Sequence, residues 1–178
     1  MPCTFDGISG PAQSVIQNAF NQLIPLAQEC AMALAPATFD EDEYVKWFDS
    51  KGDKNTVNVA HVRNIVNGIS QALVSRNITF ANATGGGVHQ ATQGLCAYVF
   101  TGGQFYQGHV GSGMRVLIIP KANQREMMKT IYHELSHKIG NTRDHSYNPI
   151  VCRGYALSQP QMAISNAENY DLFLEEFM

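Results

Sequence analysis

The sequence predicts an α+β fold, mainly helical, with a small antiparallel sheet beside the helix formed by Gln124 to Lys138. Apolar residues return at three- and four-residue intervals through most of the first half and again after Gln124, the period of helices that bury one face. Between Ala81 and Gly113 that period is lost and glycines cluster, interrupted and then followed by short β-branched or aromatic runs that read as strands. With 178 residues and 44% hydrophobic content, one domain over residues 1–178 is long enough to bury most of its apolar surface unaided.

Taken in order, Val15, Ile16, Ala19, Phe20, Leu23, Ala27, Cys30, Ala31 and Leu34 trace an amphipathic first helix from Gln13 to Leu34, which Pro25 is expected to kink. A second helical segment lies near Glu41 to Phe48. Val59, Val62, Val66, Ile69 and Leu73 mark a third, ending near Arg76. These stripes are core-forming. Cys96 to Phe100 and Met114-Arg115-Val116-Leu117-Ile118-Ile119-Pro120 read as strands of the sheet, whose edge can pair with an extended peptide. Gly85-Gly86-Gly87 lacks the ending and following helix of a phosphate loop and reads as a turn near the cleft. From Gln124 to Lys138 there is no Pro or Gly; Met127, Met128, Ile131, Leu135 and Ile139 form the buried stripe, and Gly140-Asn141 forms the stop. Pro160 to Phe177 reads as a last helix with Pro160 in its first turn.

The helix at 124–138 carries the chemistry. His133-Glu134-Leu135-Ser136-His137 is an HExxH pattern, the arrangement of zinc-dependent hydrolases. Residues four apart on a helix lie about 5–6 Å from each other on one face, so both imidazoles reach a single zinc ion. Glu134 then stands where its carboxylate meets a water that the metal has made acidic. The chain's own His and Glu frequencies give such a pattern by chance about once in a hundred sequences of this length, which argues against the alternative of a surface helix with two ordinary histidines.

The third ligand follows from what comes next. In the HExxHxxGxxH class a histidine completes the site, but here Gly140 is followed by Arg143 at that position, and a guanidinium cannot coordinate zinc. The next residue, Asp144, offers a carboxylate once the chain has turned back at Gly140. His145 beside it and Glu168, a helix-borne glutamate downstream, are the other candidates.

His133-Glu134-Leu135-Ser136-His137 followed by Asn141-Thr142-Arg143-Asp144-His145-Ser146-Tyr147 resembles the aspzincins, the deuterolysin and peptidyl-Lys metalloendopeptidase group, whose signature continues from HExxH to Gly-Thr-x-Asp-x-x-Tyr-Gly. The resemblance implies a zincin-like metalloprotease domain with one zinc ion, held by His133, His137 and Asp144. It also implies that Tyr147 assists at the scissile carbonyl by stabilising the developing oxyanion. Asn141 and Asn148 depart from the family's glycines, and the segment between His137 and Thr142 is about two residues shorter, which keeps His145 and Glu168 in play as ligands.

The likeness extends to Asn166-Ala167-Glu168-Asn169-Tyr170-Asp171-Leu172-Phe173, which resembles the Asn-Ala-Asp-Asn-x-x-x-Phe segment near the family's C-terminus. In the Lys-specific branch two acidic residues of that segment receive the lysine after the cleaved bond, which makes Glu168 and Asp171 the substrate-binding pair here. Two carboxylates three apart share a helix face and favour an ammonium group in a partly desolvated pocket. Weaker echoes are the alanine-rich first helix, the Trp47-Phe48 pair and Ala97-Tyr98-Val99-Phe100. Related secreted enzymes are disulfide-bonded. The family's close cysteine pair before the Ala-Tyr-Val-Tyr strand is absent here, and of the three pairings that four cysteines permit, Cys3 with Cys96 and Cys30 with Cys152 is expected, against the alternative of buried free thiols.

Composition bounds the partners. A net charge of −3 with 15% charged residues and no basic run argues against nucleic acid. No apolar stretch approaches the roughly 18 residues that span a bilayer, and no leader-like segment opens at Met1-Pro2-Cys3. The expected partner is a protein or peptide substrate, with the enzyme a monomer and secreted or otherwise delivered outside the producing cell. The alternatives are an effector-type zinc protease aimed at one protein and a zinc-stabilised binding module without catalysis. His61, His89 and His109 have no partner at ligand spacing; His109, in a Gly-rich loop, is the one nearest the expected cleft.

Overall fold

The computed structural model describes residues 3–51, 56–82, 97–98, 114–121 and 123–178. Its element order is β1 (Thr4–Asp6), α1 (Pro11–Ala33), α2 (Glu41–Trp47), α3 (Val57–Ser75), β2 (Ile78–Asn82), β3 (Ala97–Tyr98), β4 (Met114–Ile118), α4 (Gln124–Gly140), α5 (Pro149–Ser158), α6 (Pro160–Ile164) and α7 (Ala167–Glu175).

The predicted stripes are the observed core. On α1, Ile16, Ala19, Phe20, Leu23, Ala27 and Cys30 are fully buried, as are Val59, Val62, Val66, Ile69 and Leu73 on α3. Helix α1 runs on through Pro25. Asp40 caps α2, accepting from Glu43 N, and Thr56 caps α3, accepting from Val59 N. Phe48 packs its ring 4.9 Å from Tyr170 and 5.4 Å from Phe173, so the Trp47-Phe48 pair ties the end of α2 to α7.

Helix α4 is central, packed against α1, α3 and α7. Its stripe Met127, Met128, Ile131 and Leu135 is buried as expected, but so is the polar run His133, Glu134, Ser136, His137 and Lys138. A helix buried on both sides has to satisfy polar groups inside the protein, and here that concentration of polar groups is the site. Close approach to α3 is set by glycine. A methyl group on Gly140 would lie 2.6 Å from Ile65 Cδ1, and one on Gly68 would lie 2.6 Å from Ile139 Cγ2.

The sheet corrects one expectation. Among the described residues its order is β1-β2-β4-β3, with β1 to β2 and β2 to β4 parallel and β3 antiparallel to β4. The expectation of an antiparallel sheet rested on two runs close in sequence, and that pair is antiparallel. Strands β1 and β2 leave no periodic signal in the sequence: β1 has three residues, and only two residues separate the end of α3 from the start of β2. Parallel strands need a long crossover, and between β1 and β2 that crossover is α1 to α3. The expected last helix is likewise two, α6 and α7, broken at Ser165-Asn166, and α5 was not foreseen although Asn148-Pro149 is a cap followed by a first-turn proline.

Cys30 and Cys152 are buried free thiols, so the expected bridge between them is absent. Cys3 is also free, donating to Gln17 Oε1 at 3.4 Å, and its expected partner Cys96 lies outside the described residues. So do Gly85-Gly86-Gly87, His89 and His109. No helix among the described residues is long and apolar enough to cross a membrane.

Candidate metal centre and active site

Three elements build the site: α4, the turn after it, and α7. Asn123 starts α4 by accepting from Arg125 N and Glu126 N, and Asn141 ends it with φ 52°. Asparagine tolerates that left-handed conformation better than other side chains with a Cβ, which accounts for Asn141 standing where the family signature has glycine. Asn148, the other departure, caps α5 by accepting from Ile150 N and Val151 N.

The two histidines are oriented from behind. His137 Nδ1 lies 2.8 Å from the carbonyl of Thr142, and His133 Nδ1 lies 3.3 Å from Asp171 Oδ2. Each acceptor holds a proton on Nδ1, which leaves the Nε2 lone pairs for a ligand. Both Nε2 atoms face Asp144 Oδ1, at 2.9 Å from His133 and 3.2 Å from His137, with the rings 4.7 Å apart and nearly perpendicular. Two imidazole nitrogens and a carboxylate oxygen around one point are the donor set of a catalytic zinc site with an open fourth position. Ser136 Oγ, 2.8 Å from Thr142 Oγ1, steadies the turn that supplies Thr142.

Glu134 is buried, and its Oε2 has no hydrogen-bond partner among the described residues. Burial pushes its carboxyl up to about 7, against the pull of His133 and His137. Burial also acts to raise Asp144, but hydrogen bonds from His133 and His137 win and hold it far below the usual carboxylate range. For His133 the balance runs the other way. Burial disfavours its charged form, yet the Asp171 charge and the Asp144 hydrogen bond raise its pKa well above the ordinary value.

Tyr147 stacks on the His133 ring at 5.8 Å and 14°, with 57% of its surface exposed to the cleft side. Burial of its hydroxyl and the neighbouring Asp144 charge raise its pKa, so the phenol keeps its proton. Tyr147, His133, Glu134, Glu168 and Asp171 line a cavity of about 330 Å³ together with Ala97 of β3.

The structure thus brings His133, Glu134, His137, Asp144 and Tyr147 together. Glu168 Oε2 is 4.0 Å from His133 Nδ1, on the side of the ring away from Asp144, so it does not join the two Nε2 atoms. His145 is turned to Ser165 Oγ at 3.0 Å, and His61 is exposed on α3. Glu168 and Asp171 both border the cavity, and Asp171, only 4% exposed, also lies against His133. Thr142 and Ser136 were missed as site residues. Their only sequence signal was Thr142's place in the motif, which carries no chemistry by itself.

The family model for aspzincins, described as lysine-specific metallo-endopeptidase, matches residues 33–175, most of the chain and every residue of this site. The chain is an aspzincin. As such it is a metallo-endopeptidase with zinc as its metal and proteins or peptides as substrates. The fold of this aspzincin is similar to that of a zinc peptidase from Grifola frondosa, with a TM-score of 0.73 and 21% identity over 95% of this chain and 97% of that one. No curated protein sequence matches the aspzincin.

Proposed function

We propose that His133, His137 and Asp144 hold the zinc ion and that the enzyme cleaves peptide bonds on the amino side of lysine. The observation that carries the first part is the convergence of two Nε2 atoms and Asp144 Oδ1, each histidine being backed by an acceptor on Nδ1. Bound there, zinc supplies a Lewis acid that acidifies a water and polarises the scissile carbonyl.

The protein's own groups do the rest. Glu134, with a buried oxygen that no donor among the described residues satisfies and a carboxyl raised to about 7, takes the proton of the attacking water and returns it to the leaving amine. The Tyr147 hydroxyl, kept protonated, donates to the carbonyl oxygen as negative charge builds there. Among the described residues strand β3 is at one edge of the sheet, and its Ala97 borders the cavity, which supports backbone pairing with an extended substrate.

For lysine preference the supporting feature is Glu168. Glu168, Asp171 and Lys129 all border the cavity, but Asp171 is engaged by His133 and Lys129 is held by Glu175 at 3.2 Å. Glu168 contacts the substrate ammonium, and Asp171 adds its charge from behind. Mapping cleavage sites on a whole-proteome digest tests this, with Glu134→Gln as the blank. Lysine enriched after the cleaved bond is the expected profile; apolar residues there remove the lysine reading, and cleavage by the Glu134→Gln protein removes the mechanism.

A further inference from the structure

Helix α7 begins at Asn166, and the way this residue uses its side chain is unusual for its position. An asparagine before the first helical turn ordinarily accepts from the amides of its own helix. Asn166 makes no such cap bond. Its Oδ1 accepts instead from two amides of another segment, His145 N at 2.8 Å and Ser146 N at 3.2 Å. Its Nδ2 donates to Ser146 O at 3.1 Å and to Asn169 Oδ1 at 2.7 Å. The residue is fully buried, so these bonds face no competition from water.

Those amides belong to the two residues that follow Asp144. On the other side of Asp144, Arg143 forms a parallel bridge with Asn166: Arg143 N donates to Ser165 O at 2.7 Å, and Ala167 N donates to Arg143 O at 2.9 Å. Asp144 itself is half exposed and lies on a turn, not on a helix or strand. Its backbone is therefore gripped immediately before and immediately after by the start of α7.

We infer that Asn166 is the positioning residue for Asp144, fastening the turn that carries Asp144 and Tyr147 to the helix that carries Glu168 and Asp171. It touches neither substrate nor metal and acts through the turn's backbone. This rests on Asp144 being a zinc ligand, as proposed above.

The test compares three variants of the full chain: Asn166→Ala, Asp144→Ala, and Tyr170→Phe, which removes a different buried bond of α7, Tyr170 Oη to Ile164 O at 2.9 Å. Zinc release to a chelator, kcat and KM on a short peptide, and Tm are read for each. Asn166→Ala is expected to release zinc at least about tenfold faster and to lose kcat by a similar factor with KM within about threefold, because supports of metal ligands carry effects of that size. Tyr170→Phe is expected to lower Tm alone. If Asp144→Ala loses zinc while Asn166→Ala behaves like Tyr170→Phe, the inference is overturned and the ligand assignment stands. Unchanged zinc retention in Asp144→Ala overturns both. Should Asn166→Ala not fold, amide exchange in the wild-type enzyme decides: His145 and Ser146 amides exchanging no faster than those of α7 support the grip, and exchange at free-loop rates overturns it.

Discussion

Asp171 shows how a single side chain takes a role that spacing alone does not reveal. Its position three residues after Glu168 suggests a shared pocket, and both do border the cavity, but Asp171 Oδ2 also reaches His133 Nδ1 at 3.3 Å. A carboxylate behind a ligating histidine fixes its tautomer and raises its basicity. Asp171→Asn is therefore expected to weaken zinc binding by about 10- to 100-fold, measured by chelator competition. Equal zinc affinity in the variant would contradict this role. The same pair sets a pH dependence. Burial lowers the His133 pKa, but Asp171 and Asp144 raise it above its ordinary value, which favours the protonated ring before zinc binds. Zinc takes only the neutral ring, so binding displaces that proton and affinity climbs with pH up to the raised pKa. Calorimetry at pH 7 in buffers of different ionisation enthalpy is expected to show about one proton or more released per zinc; no buffer dependence would contradict it.

Among the elements, helices with long apolar stripes were legible and short pieces were not. Stripes on α1, α3 and α4 extend over several turns, so the period of burial is visible in the chain. Strands β1 and β3, with three and two residues, cannot display a period, and their pairing depends on partners far away in sequence. The position of α4 is set by close glycine contacts. At Gly140 the obstacle is most of the Ile65 side chain, with Cδ1, Cγ1 and Cγ2 all at 3.0 Å or less from an added methyl group. Gly140→Ala is expected to cost about 1–3 kcal/mol, read as a lower urea midpoint, because α3 and α4 have to move apart. An unchanged or raised midpoint would mean that Ile65 re-packs freely and that helix propensity dominates.

Across the chain, the chemistry was readable in sequence because it is local: His133 and His137 share one face of one helix with Glu134 beside them, and Asp144 and Tyr147 follow within one turn segment. What was not readable crosses between elements. The acceptor on His133 comes from α7, Asn166 reaches from α7 to the turn after α4, and the parallel sheet joins β1 to β2 across three helices. The cysteines belong to the same class, since the free state of Cys30 and Cys152 depends on where α1 and α5 pack. The central claim, that zinc sits between His133, His137 and Asp144, is tested most directly by anomalous diffraction at the zinc edge from crystals of the zinc-loaded enzyme. The account predicts one strong peak about 2.0–2.2 Å from His133 Nε2, His137 Nε2 and an Asp144 carboxylate oxygen. A peak bound by Glu168 or His145, with Asp144 turned away, would contradict it.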